Sequence, residues 1–323
     1  MNENISKANM LANNFNKENG VIVYSGTLAL ESALICSGIK KYDKVLVSSA
    51  VCYSIFEVIT KVGAIPVIVI PKNKLTLSIT EIKNAIKKEK GIKCIIAVHQ
   101  YGIVQNMKEI KKLTQDDIVI IEDVAQAWNL LDNGYNAGLY SDYVITSFGK
   151  TKPLSFGIGG AIFSNNSLKE HFDFSDNESR KSFKTLISYV YPECRKINID
   201  NLMKLGNRIV KKQRGIAELL TRELINNDKL EIITDSNCST SVWHRFPVII
   251  KNKKYAFKVQ TALERSKTKY QLPHEDELYE IDMVNNSSAT VIGKRKKEYD
   301  IILIRTRNNS ARHIRKFLKL LEE

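Results

Sequence analysis

The stretch Ile118–Gly160, IVIIEDVAQAWNLLDNGYNAGLYSDYVITSFGKTKPLSFGIGG, contains two short apolar runs that each stop at a polar residue. Ile118–Ile121 leads to Asp123, and Tyr143–Thr146 leads to Ser147. Runs of this length, rich in Ile and Val, read as strands buried on both faces. Lys152 follows Ser147 within a turn, and a glycine-rich return then leads into a further apolar run, Gly160–Ser164. In open sheets of parallel strands, ligands sit just beyond the carboxyl ends of the strands. Asp123 and Ser147 occupy such ends.

Outward from this stretch, helical and strand patterns alternate. Val21–Tyr24 reads as a strand, and Ser25-Gly26-Thr27 opens a helix through about Ser37. Leu28, Leu30, Ala33 and Leu34 give that helix a buried side, and Gly38 stops it. Strands follow at Lys44–Val47, Ala64–Ile70 and Lys93–Val98, separated by helices at Tyr53–Val62, Ser78–Lys88 and Asn106–Leu113. This alternation predicts an α/β fold with a mostly parallel sheet flanked by helices. After Asn165 the chain becomes more polar. Leu202–Asn226 reads as a long bridging helix. Beyond it come strands at Val242–Ile250 and Ile301–Arg305 and helices near Tyr255–Arg265 and Ala311–Leu321, a smaller C-terminal α+β domain. The expected division is 1–190 and 191–323.

Composition sets outer limits. The 323 residues are 43% hydrophobic and 26% charged, ordinary for a globular chain with one or two domains. No apolar run approaches the ~18 residues of a membrane span. The opening residues lack the apolar centre of a signal peptide, so a cytoplasmic location is expected, with no membrane partner. Five scattered cysteines without a CxxC pair argue against disulfides and zinc. The net charge of +14 comes mostly from dispersed lysines, with one tight basic run in GKRKKEYD from Gly293. No nucleic-acid-binding signature accompanies it, so no nucleic-acid partner is expected.

The chemistry-bearing residues meet the demands of pyridoxal phosphate. An acid such as Asp123 can pair with a heteroaromatic nitrogen, Ser147 can hold a phosphate, and Lys152 can form a Schiff base. Ser25-Gly26-Thr27 at a helix start offers free N–H groups to a phosphate, and Gly26 allows close approach. Each residue also has a plainer reading. Asp123, Ser25 and Thr27 are good helix caps, Gln126 can simply be exposed, and Lys152 competes with Lys150 in a lysine-rich chain.

These residues fall in a set of strings that resembles the DegT/DnrJ/EryC1/StrS aminotransferases, fold-type-I pyridoxal-phosphate enzymes that place amino groups on keto sugars. The strings are YSGTLALESAL from Tyr24, VGAIPVIV from Val62, AVHQYG from Ala97, IEDVAQA from Ile121 and SFGKTKPLSFGIGG from Ser147. They cover most of Val23 to about Asn165. The resemblance implies that Lys152, five positions after Ser147, is the Schiff-base lysine and proton shuttle. It implies that Asp123 keeps the ring nitrogen protonated and that Gln126 lies near the ring and its phenolic oxygen. An aromatic residue often covers the ring where Cys52 aligns, so either Cys52 or the adjacent Tyr53 would do so here. His99 reads as structural, and Trp128 and Trp243 as packing residues or pocket edge. The resemblance also implies an amino acid donor such as glutamate, a keto acceptor and a homodimer. Another pyridoxal-phosphate reaction, or a non-catalytic subunit that needs a partner, stays open.

Three departures bear on the acceptor. Only about two dozen residues precede Ser25-Gly26-Thr27, where the family has substrate-facing elements. Ile158 replaces an acid in the glycine-rich return, and no Asn-x-Arg segment is recognisable, with GNRIVKKQRG from Gly206 reading as the long helix. Arg245, Arg305 and Arg307 are candidate anchors for an anion.

Overall fold

The computed structural model of the chain describes residues 2–72, 75–114, 117–168, 196–235, 239–272, 288–293 and 300–323. Cys194, Cys238, the basic run 294–297 and the division near 190 lie outside them.

The polar opening, for which no element is expected, forms helix α1 (Asn2–Ala12). Ala8, Leu11, Ala12 and, just beyond, Phe15 are fully or almost fully buried. Their spacing makes one helical face. Strands β1 (Asn19–Val23), β2 (Lys44–Ser48), β3 (Ile65–Val69), β4 (Ile92–Val98) and β5 (Val119–Asp123) then alternate with α2 (Gly26–Cys36), α3 (Tyr53–Lys61), α4 (Ile79–Lys88) and α5 (Met107–Thr114). A hairpin of β6 (Leu131–Asp132) and β7 (Tyr135–Asn136) precedes β8 (Tyr143–Ser147) and β9 (Gly160–Ser164). Helix α6 (Ile199–Leu224) leads to β10 (Leu230–Ile232), β11 (Phe246–Ile250), α7 (Lys253–Ser266), β12 (Tyr270–Gln271), β13 (Thr290–Ile292), β14 (Asp300–Ile304) and α8 (Ala311–Glu322).

The main sheet has eight strands in the order β1-β9-β8-β5-β4-β2-β3-β13. Only β9 is reversed, pairing antiparallel with both β1 and β8. Side chains alternate between the faces of each strand. Val45, Val47, Cys94, Ile96, Ile121 and Ile145 join the core under α2 and α3. Leu46, Ile95, Ala97 and Ile120 join the opposite core under α4 and α5. Both faces are covered, which is why these strands read as unbroken apolar runs. Asp123 and Ser147 lie two residues beyond Ile121 and Ile145, so both fall on the α2 side at the carboxyl edge of the sheet. Glu122 falls on the other side.

The smaller sheet, β10-β11-β14-β12, is antiparallel and packs with α7 and α8 around its own core. On α8, Ile314, Phe317, Leu318 and Leu321 are the buried stripe. Helix α6 belongs to both cores: Ile199, Leu202 and Val210 pack beside the main sheet, and Ile216, Leu220 and Leu224 beside the small one.

Two further differences from the sequence expectation lie in the C-terminal half. The strand expected over Val242–Ile250 begins only at Phe246, because Trp243 takes a left-handed backbone with φ 55°. The chain before it turns to pair with the loop after β4, Val242 N–H donating to the Gly102 carbonyl at 2.8 Å. In addition, β13 lies within the span expected for the smaller domain yet pairs in parallel with β3, Thr290 opposite Val67. No helix among the described residues is long and apolar enough to cross a membrane.

The burial of Leu11 makes α1 part of the core. Leu11→Ala is expected to lower the unfolding free energy by about 2–5 kcal/mol in denaturant titrations. A change within about 0.5 kcal/mol, the size of an exposed substitution, would show that α1 is not docked.

Candidate active site

A cavity of about 240 Å³ opens at the carboxyl edge of the main sheet. Its walls bring together Ser25, Gly26, Thr27, Cys52, Asp123, Gln126, Ser147 and Lys152, residues drawn from four separate segments of the chain. The pattern of burial explains the convergence. Val98, Asp123, Ile145 and Ser147 are on one face of adjacent strands, and α2 starts directly over that face.

Ser25 is the N-cap of α2, its hydroxyl accepting from Leu28 N–H at 3.1 Å. The first N–H groups of a helix have no partner within it, and those of α2 lie at the cavity wall with Gly26 and Thr27. Space here is tight. A Cβ on Gly26 would stand 2.8 Å from the Ser147 Cβ, and one on Gly160 would stand 2.6 Å from the Ser25 carbonyl carbon. Gly160 can approach so closely because it faces both Val23 and Ser147 in the strand register. The Ser147 hydroxyl accepts weakly from Gly149 N–H at 3.4 Å.

Asp123 is almost fully buried, and its Oδ1 accepts from Ala125 N–H at 2.8 Å. Burial pushes its carboxyl above the usual range, while that hydrogen bond and the Lys152 charge oppose the rise. Lys152 shows the complementary effect. Burial lowers its amine below the ordinary 10.5, Asp123 and Cys52 act in the opposite sense, and Arg245 adds to the lowering. A lysine held in this way has more neutral, nucleophilic amine near neutral pH. Lys150 is exposed and does not line the cavity. The turn that carries Lys152 is fastened from the small unit, where Arg307 Nη1 donates to the carbonyls of Lys150 and Lys152 at 3.2 and 3.0 Å.

Gln126 donates from Nε2 to Gln100 Oε1 at 3.1 Å, and both amides line the cavity. Gln100 was within reach of sequence reasoning, since it lies in the AVHQYG string. Cys52 is exposed at the wall and its Sγ accepts from the Ser54 hydroxyl at 3.2 Å. Tyr53 does not line the cavity. It is the first residue of α3, one position past the Cys52 cap, and its ring packs on Phe56 with centroids 5.7 Å apart.

Behind Asp123, on the opposite face of β5, lies a polar group that the sequence reading missed. Glu122 is fully buried, with Oε1 2.8 Å from His99 Nε2 and Oε2 accepting from Gly138 N–H at 2.9 Å. Gln105 N–H donates to His99 Nδ1 at 3.0 Å, which places the ring proton on Nε2, toward Glu122. Burial alone would raise Glu122, but the hydrogen bonds from His99, Ser141 and Gly138 win and hold it below the usual range. His99 is therefore structural. Buried Lys17, whose Nζ donates to the Ser141 carbonyl at 2.5 Å, adds a cation to the same cluster. Trp128 packs edge-on against Phe15, and its Nε1–H donates to Asn207 on α6 at 2.9 Å. Gly206 makes room for that contact, since a Cβ there would stand 2.8 Å from the indole.

The profile of the DegT/DnrJ/EryC1/StrS aminotransferase family matches residues 7–292. The chain belongs to that family. Among curated relatives, GDP-perosamine synthase of Vibrio cholerae is 29% identical over 215 residues, covering 62% of this chain and 57% of that protein. UDP-N-acetyl-3-dehydro-alpha-D-glucosamine 3-aminotransferase of Acidithiobacillus ferrooxidans is 36% identical over 146 residues, 44% of this chain and 39% of that protein. The matched part thus spans less than two thirds of either relative. The family fold is plain in three dimensions. The solved structure of E. coli GDP-4-keto-6-deoxy-D-mannose-3-dehydratase with bound hydrated PLP superposes with a TM-score of 0.81 at 18% identity, over 98% of this chain and 90% of that one.

The lowered Lys152 amine has a direct readout. Reductive methylation followed residue by residue in mass spectra is expected to modify Lys152 with a midpoint below the ordinary lysine value of 10.5. Asp123→Asn should move that midpoint lower still, because the negative charge that favours the protonated amine is gone. A midpoint at or above 10.5 would contradict the electrostatics of the site.

Proposed function

We propose that the chain is a pyridoxal-phosphate-dependent aminotransferase that moves an amino group from an amino acid donor such as glutamate to a keto sugar. One observation carries this reading: a single cavity gathers a buried acid, a helix start with a serine beside it, and a lysine of lowered basicity. The residues fit the cofactor. The space closed to any side chain at Gly26 and Gly160 leaves a cradle between the start of α2 and Ser147 where a phosphate would rest. Asp123 would hold a proton on the ring nitrogen, and its burial makes a cationic partner welcome. Gln126, fixed by Gln100, would donate to the ring's oxygen, and Cys52 would lie against the ring in place of an aromatic side chain.

Pyridoxal phosphate, when bound, supplies an aldehyde for amines and a ring that accepts electrons from the reacting carbon. Lys152 is the group in the cavity able to take a proton from the donor carbon and return it elsewhere, since its amine is neutral more often than an exposed lysine's. Arg307 fixes the backbone on which that amine travels. The keto-sugar acceptor is supported by the relatives, a GDP-perosamine synthase and an aminotransferase of a UDP-linked dehydro-sugar.

We further propose a cytoplasmic homodimer with a cofactor-binding unit over 1–190 and a smaller unit over 191–323. The buried free thiols Cys36 and Cys94 suit a reducing compartment, and the separate core of the small sheet suits the division, with β13 as the one strand that returns to the main sheet.

The decisive test is the visible spectrum of purified protein incubated with pyridoxal phosphate. A band is expected that Lys152→Ala lacks and that glutamate bleaches, with transamination in the variant reduced by about a hundredfold or more. The same band in the variant, or indifference to amino acids, would refute the reading.

A further inference from the structure

The end of the small sheet nearest Lys152 is crowded with cations. Phe246 pairs with Ile304 in the antiparallel register of β11 and β14, so the next pair outward is Arg245 with Arg305. Arg307 follows in the short turn Thr306–Asn308 and reaches the Lys152 carbonyl. Arg245 is joined to the cavity from the other side. Its backbone N–H donates to the Tyr101 carbonyl at 3.2 Å, one residue past Gln100 in the cavity wall.

Among the described residues no acid answers these charges, and none of the three arginines is in an ion pair. Arg245 donates from Nε to Gln271 Oε1 at 3.1 Å and from Nη1 to the His244 carbonyl at 2.9 Å, and that Nη1 lies 3.0 Å from His244 Nε2. Its other terminal nitrogen, Nη2, has no partner among the described residues. His244 is buried, and that burial, with the surrounding cations, holds its basicity well below the ordinary range. A neutral ring accepts at Nε2 from Arg245 and carries its proton on Nδ1, and turning the Gln213 amide sets its otherwise unpartnered Oε1 to accept that proton. Arg245 is thus aimed by its neighbours. Arg305 is less satisfied: its Nε is buried with no hydrogen-bond partner among the described residues. A buried donor left unpaired costs the fold its full desolvation penalty, and such groups in native proteins call for an explanation.

We propose that Arg245 and Arg305 form an oxyanion subsite that receives a carboxylate or phosphate group of the substrate beside Lys152. Two adjacent guanidinium forks match a planar or tetrahedral oxyanion with paired, charge-assisted hydrogen bonds. Assigning that anion to the substrate rests on the aminotransferase reading. The subsite's two natural sources are the carboxylate of an amino donor and the phosphate of a nucleotide-linked acceptor.

Calorimetric titration with glutarate and with inorganic phosphate separates these sources, run on protein with and without pyridoxal phosphate. The wild-type chain is expected to bind at least one of the two. Arg245→Gln and Arg305→Gln should weaken that binding by about tenfold or more, and Arg305→Lys should weaken it less. Arg222→Gln, at an exposed arginine, should leave it unchanged. Loss confined to glutarate assigns the subsite to a carboxylate, and loss confined to phosphate assigns it to the acceptor's phosphate. A second measurement needs no variant: the bound anion should slow phenylglyoxal modification of Arg245 and Arg305 but not of exposed Arg222. The proposal is overturned if neither anion binds, if folded glutamine variants bind as tightly as wild type, or if neither arginine is protected. The Lys152-dependent band, recorded on the same samples, keeps the two readings apart. Its absence with anion binding intact would sink the aminotransferase reading and not the subsite.

Discussion

Alternation of side chains at the end of β5 is the constraint on which the rest of the molecule depends. Glu122 and Asp123 are consecutive acids on a central strand, so the pleat sends them to opposite faces. Asp123 enters the cavity under α2, while Glu122 enters a closed polar cluster with His99, Gly138 and Ser141. The two carboxyls accordingly differ in character although they share a backbone. Glu122 is fully hydrogen-bonded and held below the usual range, whereas Asp123 is raised by burial and has been left for a cation. A slip of one residue in the register would exchange them and destroy both environments.

The remaining chemistry depends on how closely backbone can approach backbone at the same edge. Gly26, Gly160 and Gly102 each stand where a methyl group would collide with main chain or with Ser147. Gly102 also has a φ of 77°, a conformation that favours glycine, and there the loop after β4 meets the segment before β11. Through this contact and the Arg307 bonds, the smaller unit shapes a site whose walls are formed mainly by the larger one.

Much of this was legible in the sequence because the parallel strands are covered on both faces and so announce themselves as apolar runs. The polar residue that ends each run marks the site, which is how Asp123, Ser147 and the start of α2 could be read as neighbours. Local pattern failed where long-range contact decides. The helix α1 hid behind its asparagines although Ala8, Leu11, Ala12 and Phe15 keep helical spacing. Three residues, Thr290–Ile292, carry too little pattern to reveal a strand that returns to β3. The orientation of Tyr53 is set by one step of helix rotation after Cys52, and the bend at Trp243 by a partner loop about 140 residues earlier in the chain. The bend at Trp243 is not a property of its own neighbourhood.

The helix α6 has a consequence beyond joining the two units. Its 26 residues extend about 39 Å, and its first half is sealed into one core while its second half is sealed into the other. Neither core can melt without stripping apolar surface from this shared rod. Slow hydrogen exchange would therefore rise and fall together across both sheets, as one cooperative foldon rather than two.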